Sequence, residues 1–324
     1  MIANKESLES LYNSKFKPQL SDLNAKRIEI VDRIKRYGLI FILLISVSLY
    51  LSFFYNSGVI PIVFIIFIMV IMGYFKIHPL WKSYKLEFKE KVIRKIINFI
   101  DESLSYNPSG KLSLEVFQKS GIFKTGVDSY KGDDYVYGKI GSTQVEFSEV
   151  HAEYKTTTVD SKGRTQTHWH TIFKGLLFSV DFNKHFNVKT YVLTDTAEKM
   201  FGFLGKKLQS LNFSRDDLIN LENTDFEKQF VVYSADQIEA RYILSPSLME
   251  RILDFKNQTK KDIQMSFVDN KLFVVVPYRK NLFEPKLFGN IVDFNHIQEY
   301  YNDLVLILDL VDTLNLNTRI WTKN

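Results

Sequence analysis

Two unbroken apolar runs dominate the pattern of the chain. Gly38 to Tyr55 reads GLIFILLISVSLYLSFFY and Gly58 to Phe75 reads GVIPIVFIIFIMVIMGYF, each 18 residues without a charge and separated by Asn56 and Ser57. A helix of that length rises about 27 Å, close to the thickness of a bilayer's hydrocarbon layer. Unpaired backbone amides in hydrocarbon are costly, so such runs must be helical, and the Asn-Ser-Gly junction supplies a tight reversal. The pattern predicts a transmembrane hairpin over residues 38–76. Pro61 lies in the first turn of the second run, where its missing amide costs no hydrogen bond. Tyr55, Tyr74, Trp81 and Tyr84 sit near the ends of the runs, where amphipathic rings favour the headgroup region.

On either side the pattern becomes amphipathic. Upstream, Leu20, Leu23, Ile30 or Val31, and Ile34 recur at helical spacing; downstream, Tyr84, Phe88, Val92, Ile96 and Ile100 recur at steps of four, widened by Ile93 and Ile97. Both runs are expected to continue as juxtamembrane helices, over residues 1–37 and 77–106. Packing of the two stripes into an antiparallel stalk is the simplest use of them. An interface for a partner coiled coil or a second copy, and a basic lipid-facing surface, are the alternatives.

From about Asn107 the texture changes to short alternating runs punctuated by Gly, Ser, Asp and Thr. DYVYGKI and TQVEFSEV flank Gly141-Ser142, a second hairpin turns at Asp160 to Gly163, TYVLT adds a strand, and IQMSFVDNKLFVVVPYR turns at Asp269-Asn270. Consecutive antiparallel strands imply a meander that helices cover on its apolar face. Ser245 can cap a helix with Pro246 at its first position and Leu248, Ile252 and Phe255 on the buried side, and Phe294 to Leu314 closes the chain as an apolar-striped helix. The expected fold class is therefore α+β: a two-helix transmembrane hairpin with juxtamembrane helices, and a soluble domain over residues 107–324 of antiparallel sheet covered by helices.

The segments HTIFKGLLFSVDF, TDFEKQFVVYSADQIEARYILSPSLMERIL and FVDNKLFVVVPYRKNLFEP occur in this order. Together with the preceding hairpin of runs they resemble the domain-of-unknown-function family 3137, a bacterial group. The resemblance implies membrane-anchored proteins with no assigned activity or catalytic residues, sometimes associated with LemA-like membrane proteins.

Charge sharpens the membrane reading. The first hundred residues hold 15 Lys/Arg against 7 Asp/Glu, and the remainder 27 against 30. The basic excess flanks the apolar runs, where it meets anionic headgroups, and argues against nucleic-acid binding. Lys26, Arg27, Arg33, Lys35 and Arg36 precede the first run, and Lys76, Lys82, Lys85, Lys89 and Lys91 follow the second. Both termini are therefore expected on the cytoplasmic side of a cell membrane crossed twice. Neither run carries an ionisable residue, which disfavours a pump or transporter acting as a monomer. The late, long apolar region does not read as a cleaved leader. With no cysteine, thiolate catalysis, disulfides and Cys-based metal sites are excluded.

Candidate chemistry is sparse. His168 and His170 in THWHT share a strand face and are weak metal candidates. With a turn centred on Lys162-Gly163, position 151 pairs with 174, which leaves His151 about 13 Å along the strand from His170, too far to share a metal. GFLGKK at 202–207 lacks the spacing and hydroxyl of a phosphate loop. Phe226, Phe230, Tyr233, Asp236, Glu239 and Arg241 gather aromatic and charged groups and are taken as the candidate binding surface. No catalytic residue, cofactor or metal is expected. The functional expectation is a membrane-anchored cytoplasmic interaction or scaffold module with a protein partner or self-association; the alternative is a membrane-bound, hydrolase-like enzyme whose pocket no linear motif reveals.

Overall fold

The computed structural model describes residues 5–55, 60–182, 184–194, 217–289 and 291–314. The chain forms two compact units, Met1–Ile96 with Phe283–Tyr301, and Ile97–Leu282 with Asn302–Asn324. The expected turn at Asn56-Ser57 and the GFLGKK segment lie outside the described residues.

The first unit is helical. Helix α1 (Lys5–Leu11) passes through a π-helical turn at Tyr12–Phe16 into α2 (Lys17–Tyr55), and α3 (Ile60–Phe88) passes through a second at Lys89–Ile93 into α4 (Arg94–Ile100). Pro79 lies inside α3, so the downstream juxtamembrane helix does not begin there but continues the second apolar run. The expected stripes are buried: Leu20, Leu23 and Ile30 on α2, and Tyr84, Phe88, Val92 and Ile96 after the second run. Ile30, rather than Val31, faces inward. Beyond the stripes the situation reverses, and the apolar runs expose their side chains, Leu39 by 69%, Phe53 by 85% and Phe75 by 69%. Segment Phe283–Tyr301 is held to these helices by its own polar contacts. Glu284 bridges Lys85 and the buried Lys89, each at 3.2 Å, and the Tyr12 hydroxyl donates to the Val292 carbonyl at 2.9 Å.

Among the described residues, the second unit is built on one antiparallel sheet of nine strands. They are β1 (Ser105–Asn107), β2 (Ser129–Ile140), β3 (Thr143–Val159), β4 (Thr165–Asp181), β5 (Thr190–Thr194), β6 (Asp217–Ile219), β7 (Phe230–Ser234), β8 (Gln264–Val268) and β9 (Lys271–Pro277). Their order in space is β1-β2-β3-β4-β9-β8-β5-β7-β6. The three predicted hairpin turns all form: Ile140 pairs Thr143 around Gly141-Ser142, Val159 pairs Thr165, and Val268 pairs Lys271 around Asp269-Asn270. Gly141 and Asp269 take positive φ, +60° and +56°, as tight hairpin reversals require. The expected meander holds for β2–β3–β4 only. Beside β4 lies β9 and not β5, because the β8–β9 hairpin inserts between them.

The core of this unit gathers Phe117 from a helix and Val150, Phe173, Leu177, Tyr191, Phe273 and Val275 from strands distant in sequence. Helix α5 (Leu114–Lys119), capped by the Ser113 hydroxyl accepting from the Val116 N–H, delivers Phe117 to it. Three further helices, α6 (Thr224–Glu227), α7 (Gln237–Ile243) and α8 (Pro246–Thr259), follow β6 and β7 in the chain. Helix α8 starts as predicted, with Ser245 as cap, Pro246 at its first position, and Leu248, Ile252 and Phe255 buried.

Candidate functional site

The β2–β3–β4 region holds two features that bear on function. The first is a polar cleft of about 300 Å³ lined by Lys131, Gly132, Asp133, Glu149, Val150, His151, Lys174, Gly175, Tyr278, Lys280 and Asn281. It starts from a bulge in β2, where the register with β3 shifts between Asp133 and Val136 and Asp134 takes φ +58°. The carboxylates of Asp133, Asp134 and Glu149 lie within 4.8 Å of one another, the latter two buried. Glycine is needed at two places around it: a Cβ at Gly132 would meet the Glu149 carbonyl oxygen at 2.3 Å, and one at Gly175 the Val276 carbonyl oxygen at 2.2 Å. Burial, then the charges of Asp303 and Glu149, push the Tyr278 phenol up to about 12, so it stays a neutral donor.

An all-oxygen set of this kind suits a hard divalent cation better than zinc. Both buried carboxylates, however, already have structural work. Asp134 accepts from the Tyr106 hydroxyl, which ties β1 to β2, and Glu149 accepts from the Leu282 N–H at 2.6 Å. Buried charge satisfied by hydrogen bonds to its own fold explains the cluster without a ligand.

The second feature is a two-stranded ribbon. Strands β3 and β4 are each 17 residues long, but β2 follows β3 only to Glu153 and β9 follows β4 only to Gly175. The outer half, through the turn at Asp160, therefore projects past its sheet neighbours, and residues 165–171 are exposed on both faces. Trp169 is 52% exposed at its middle.

The predicted histidines lie on this ribbon. The ring of His170 stacks on Tyr154 at 4.8 Å and its Nε2 is 2.8 Å from Thr156 Oγ1; His168 pairs opposite Thr156. His151 does pair Lys174, by a route the sequence reading did not foresee: the turn is centred one half-residue earlier, and a bulge between Ala152 and Glu153 restores the register. Alternation along β3 puts His151 on the face opposite Tyr154 and Thr156, so distance and direction both separate it from the other two. His151 Nε2 lies 3.2 Å from Thr171 Oγ1 instead.

Most of the six residues taken as a binding surface have internal roles. Phe226 and Phe230 are core residues, not surface ones, with ring centroids 4.9 Å apart and Lys256 Nζ 4.7 Å from the Phe230 ring centroid. Tyr233 is half-buried against the sheet core. Asp236 caps α7, accepting from the Ile238 and Glu239 amides. Glu239 is buried and accepts from the Asn187 and Val188 amides at 3.1 and 2.9 Å, and Arg241 donates to the Asn220 carbonyl at 3.2 Å. The alternation of β7, with Phe230, Val232 and Ser234 inward, was the signal available for the buried ring.

No curated protein matches the chain. Among solved structures, the mycobacterial trehalose monomycolate transport factor A, TtfA, is similar with a TM-score of 0.34 and 12% identity, over 68% of this chain and 94% of that one. A likeness at that level carries no inference about what this chain does. Residues 171–316, from the outer part of β4 through the last described helix, Phe294–Thr313, match the family described as protein of unknown function, DUF3137, and the apolar helical runs fall outside that match.

Proposed function

We propose that this chain is a membrane-anchored interaction module: α2 and α3 cross a bilayer as a hairpin, and the sheet unit on the cytoplasmic side engages a protein partner. The observation that carries the anchor is the exposure of the two apolar runs. Both are long and apolar enough to cross, and almost none of either is buried. Helices of a soluble core would have covered those side chains; in water they would remain a large uncompensated apolar surface. The basic flanks support the cytoplasmic side.

The β3–β4 ribbon supports the interaction role. An isolated two-stranded ribbon is marginal in water, and its free edges are templates for a further strand. Its Thr-rich sides and exposed Trp169 offer backbone and aromatic contacts to such a strand.

The chain has no native cysteine, which makes the topology directly testable. A cysteine at Ser161, in the ribbon turn, is expected to react with a membrane-impermeant maleimide only after permeabilisation, and one at Asn56 in intact cells. The reverse pattern, or a chain that leaves the membrane fraction in alkaline carbonate, overturns the anchor as drawn. A photo-crosslinker at Trp169 is expected to give a discrete adduct in membranes, with a partner or a second copy; a smear or no adduct overturns the interaction role.

A membrane-bound hydrolase-like enzyme is the second reading, favoured by one observation, the polar cleft around Asp133 and Glu149. Retained turnover of any substrate lost in Asp133→Asn would move the assignment there.

A further inference from the structure

Where the apolar runs give way to the charged stalk, the first unit contains a second opening, of about 370 Å³ and almost wholly apolar in its walls. Ile30 and Ile34 of α2, and Gly73, Ile77 and Trp81 of α3, line it, with Leu287 closing one side. That volume falls within the range of sites that hold a bound molecule. Gly73 provides the notch: a Cβ built there meets nothing within 4 Å.

The position of this crevice along the helices narrows what can fill it. Gly73 belongs to the last turn of the second apolar run, whereas Ile30 precedes the first run by two helical turns, among Arg27, Arg33, Lys35 and Arg36. One end thus opens toward uncharged helix surface and the other toward cations. Arg27 sits at the charged end, donating to the Leu287 carbonyl at 3.0 Å and to Asn24 Oδ1 at 3.0 Å. Both acceptors are neutral, and no described carboxylate forms an ion pair with it. Lys85 Nζ lies 6.0 Å from the Trp81 ring centroid, and that ring is tilted against Tyr84 at 5.5 Å. The buried Tyr84 hydroxyl has no hydrogen-bond partner among the described residues.

From this we infer that the crevice binds one anionic phospholipid of the bilayer, its acyl chain lying along Gly73, Ile77 and Trp81 and its phosphate meeting Arg27, since Lys85 is already paired with Glu284 at 3.2 Å. The inference rests on the membrane anchor proposed above. An apolar slot alone would accept any chain; the guanidinium without a carboxylate beside it is what selects the anion. A cation near an anionic headgroup contributes about 1 kcal/mol, about a fivefold preference over a zwitterionic lipid.

Trp81 reports on occupancy directly. The full-length chain with Trp169→Phe and Trp321→Phe is reconstituted in phosphatidylcholine vesicles containing a minor fraction of phosphatidylglycerol, with the acyl chains of one lipid or the other brominated. At equal mole fraction, brominated phosphatidylglycerol is expected to quench Trp81 several-fold more effectively. Arg27→Gln should reduce that preference about fivefold, and Gly73→Leu, whose Cβ would meet open space and whose side chain would fill the notch, should abolish it. Equal quenching by both lipids, or a preference unchanged in both variants, overturns the lipid site while leaving the anchor standing. Quenching by neither lipid, with the chain failing to float with vesicles, overturns the anchor itself. The headgroup comparison in the unsubstituted crevice decides the matter even if Gly73→Leu does not fold.

Discussion

The sheet unit and the apolar helices are made of the same side chains and use them in opposite ways. Phe267, Leu272, Phe273 and Val274 on the β8–β9 hairpin are fully buried, each against neighbours supplied by another strand. Phe53, Phe64, Phe67 and Phe75 on the helices face outward. Composition cannot distinguish the two groups; burial does. The sheet creates its own apolar medium by tertiary packing, whereas the helices satisfy only their backbones and leave their side chains exposed, a surface that the proposed anchor assigns to hydrocarbon.

Truncating a core ring should break the sheet unit and leave the helices indifferent. Phe273→Ala is expected to cost the sheet unit about 3–5 kcal/mol, read as a lower denaturation midpoint in detergent, while Phe53→Ala shifts it by less than about 0.5 kcal/mol. A comparable loss from both would mean that the exposed rings are packed after all. The converse substitution comes next in size. Phe67→Arg, near the middle of the second run, should cost about 2.5–3.5 kcal/mol of insertion and reduce the carbonate-resistant fraction, whereas Leu218→Arg on the exposed edge strand β6 should not change it. If Phe67→Arg stays fully membrane-bound, hydrocarbon is not the solvent of that face.

Smaller effects sharpen the picture within the sheet unit. Ser245→Ala removes the cap of α8 and should cost about 1 kcal/mol, recovered by Ser245→Asp. Its effect should be confined to unfolding of the sheet unit, with no change in membrane retention. The smallest effect concerns Asp269, whose hydrogen bond from Lys119, at 2.8 Å, holds its carboxyl below the usual aspartate range. Because the folded-state value is depressed, the stabilisation is present above the unfolded value and fades as pH falls through the folded one. Both partners are half exposed, so screening reduces it to roughly a few tenths of a kcal/mol. Asp269→Asn, which tolerates the positive φ at this turn, should lose that acid-side dependence and little else.

How much could be read in advance depended on whether the cause was local. The uncharged runs, the turns at Gly141-Ser142, Asp160–Gly163 and Asp269-Asn270, and the Ser245-Pro246 start were legible because each is decided by adjacent residues. The placement of β9 between β4 and β8 was not, since strand order is set by which apolar faces meet across the chain. The same holds for the polar cleft. It joins residues of β2, β3, β4 and the segment after β9 around a bulge at Asp134, and the hint in sequence was the Gly-Asp-Asp run at 132–134 inside an otherwise alternating strand. Phe226 and Phe230 were misplaced for a related reason: aromatic residues beside charged ones look like a contact surface until alternation assigns a face to each. Glu239 gave no sign that its charge is spent on two backbone amides.

The uninterrupted course of α2 has a mechanical consequence. Its 39 residues form a single rod of roughly 58 Å with no joint between the part proposed to lie in lipid and the part that belongs to the stalk. A rod cannot lean at one end only, so a change in bilayer thickness that alters the lean of the embedded half must swing the stalk half with it. The hairpin would then act as a lever as well as a tether, converting the state of the membrane into sideways displacement at its cytoplasmic end.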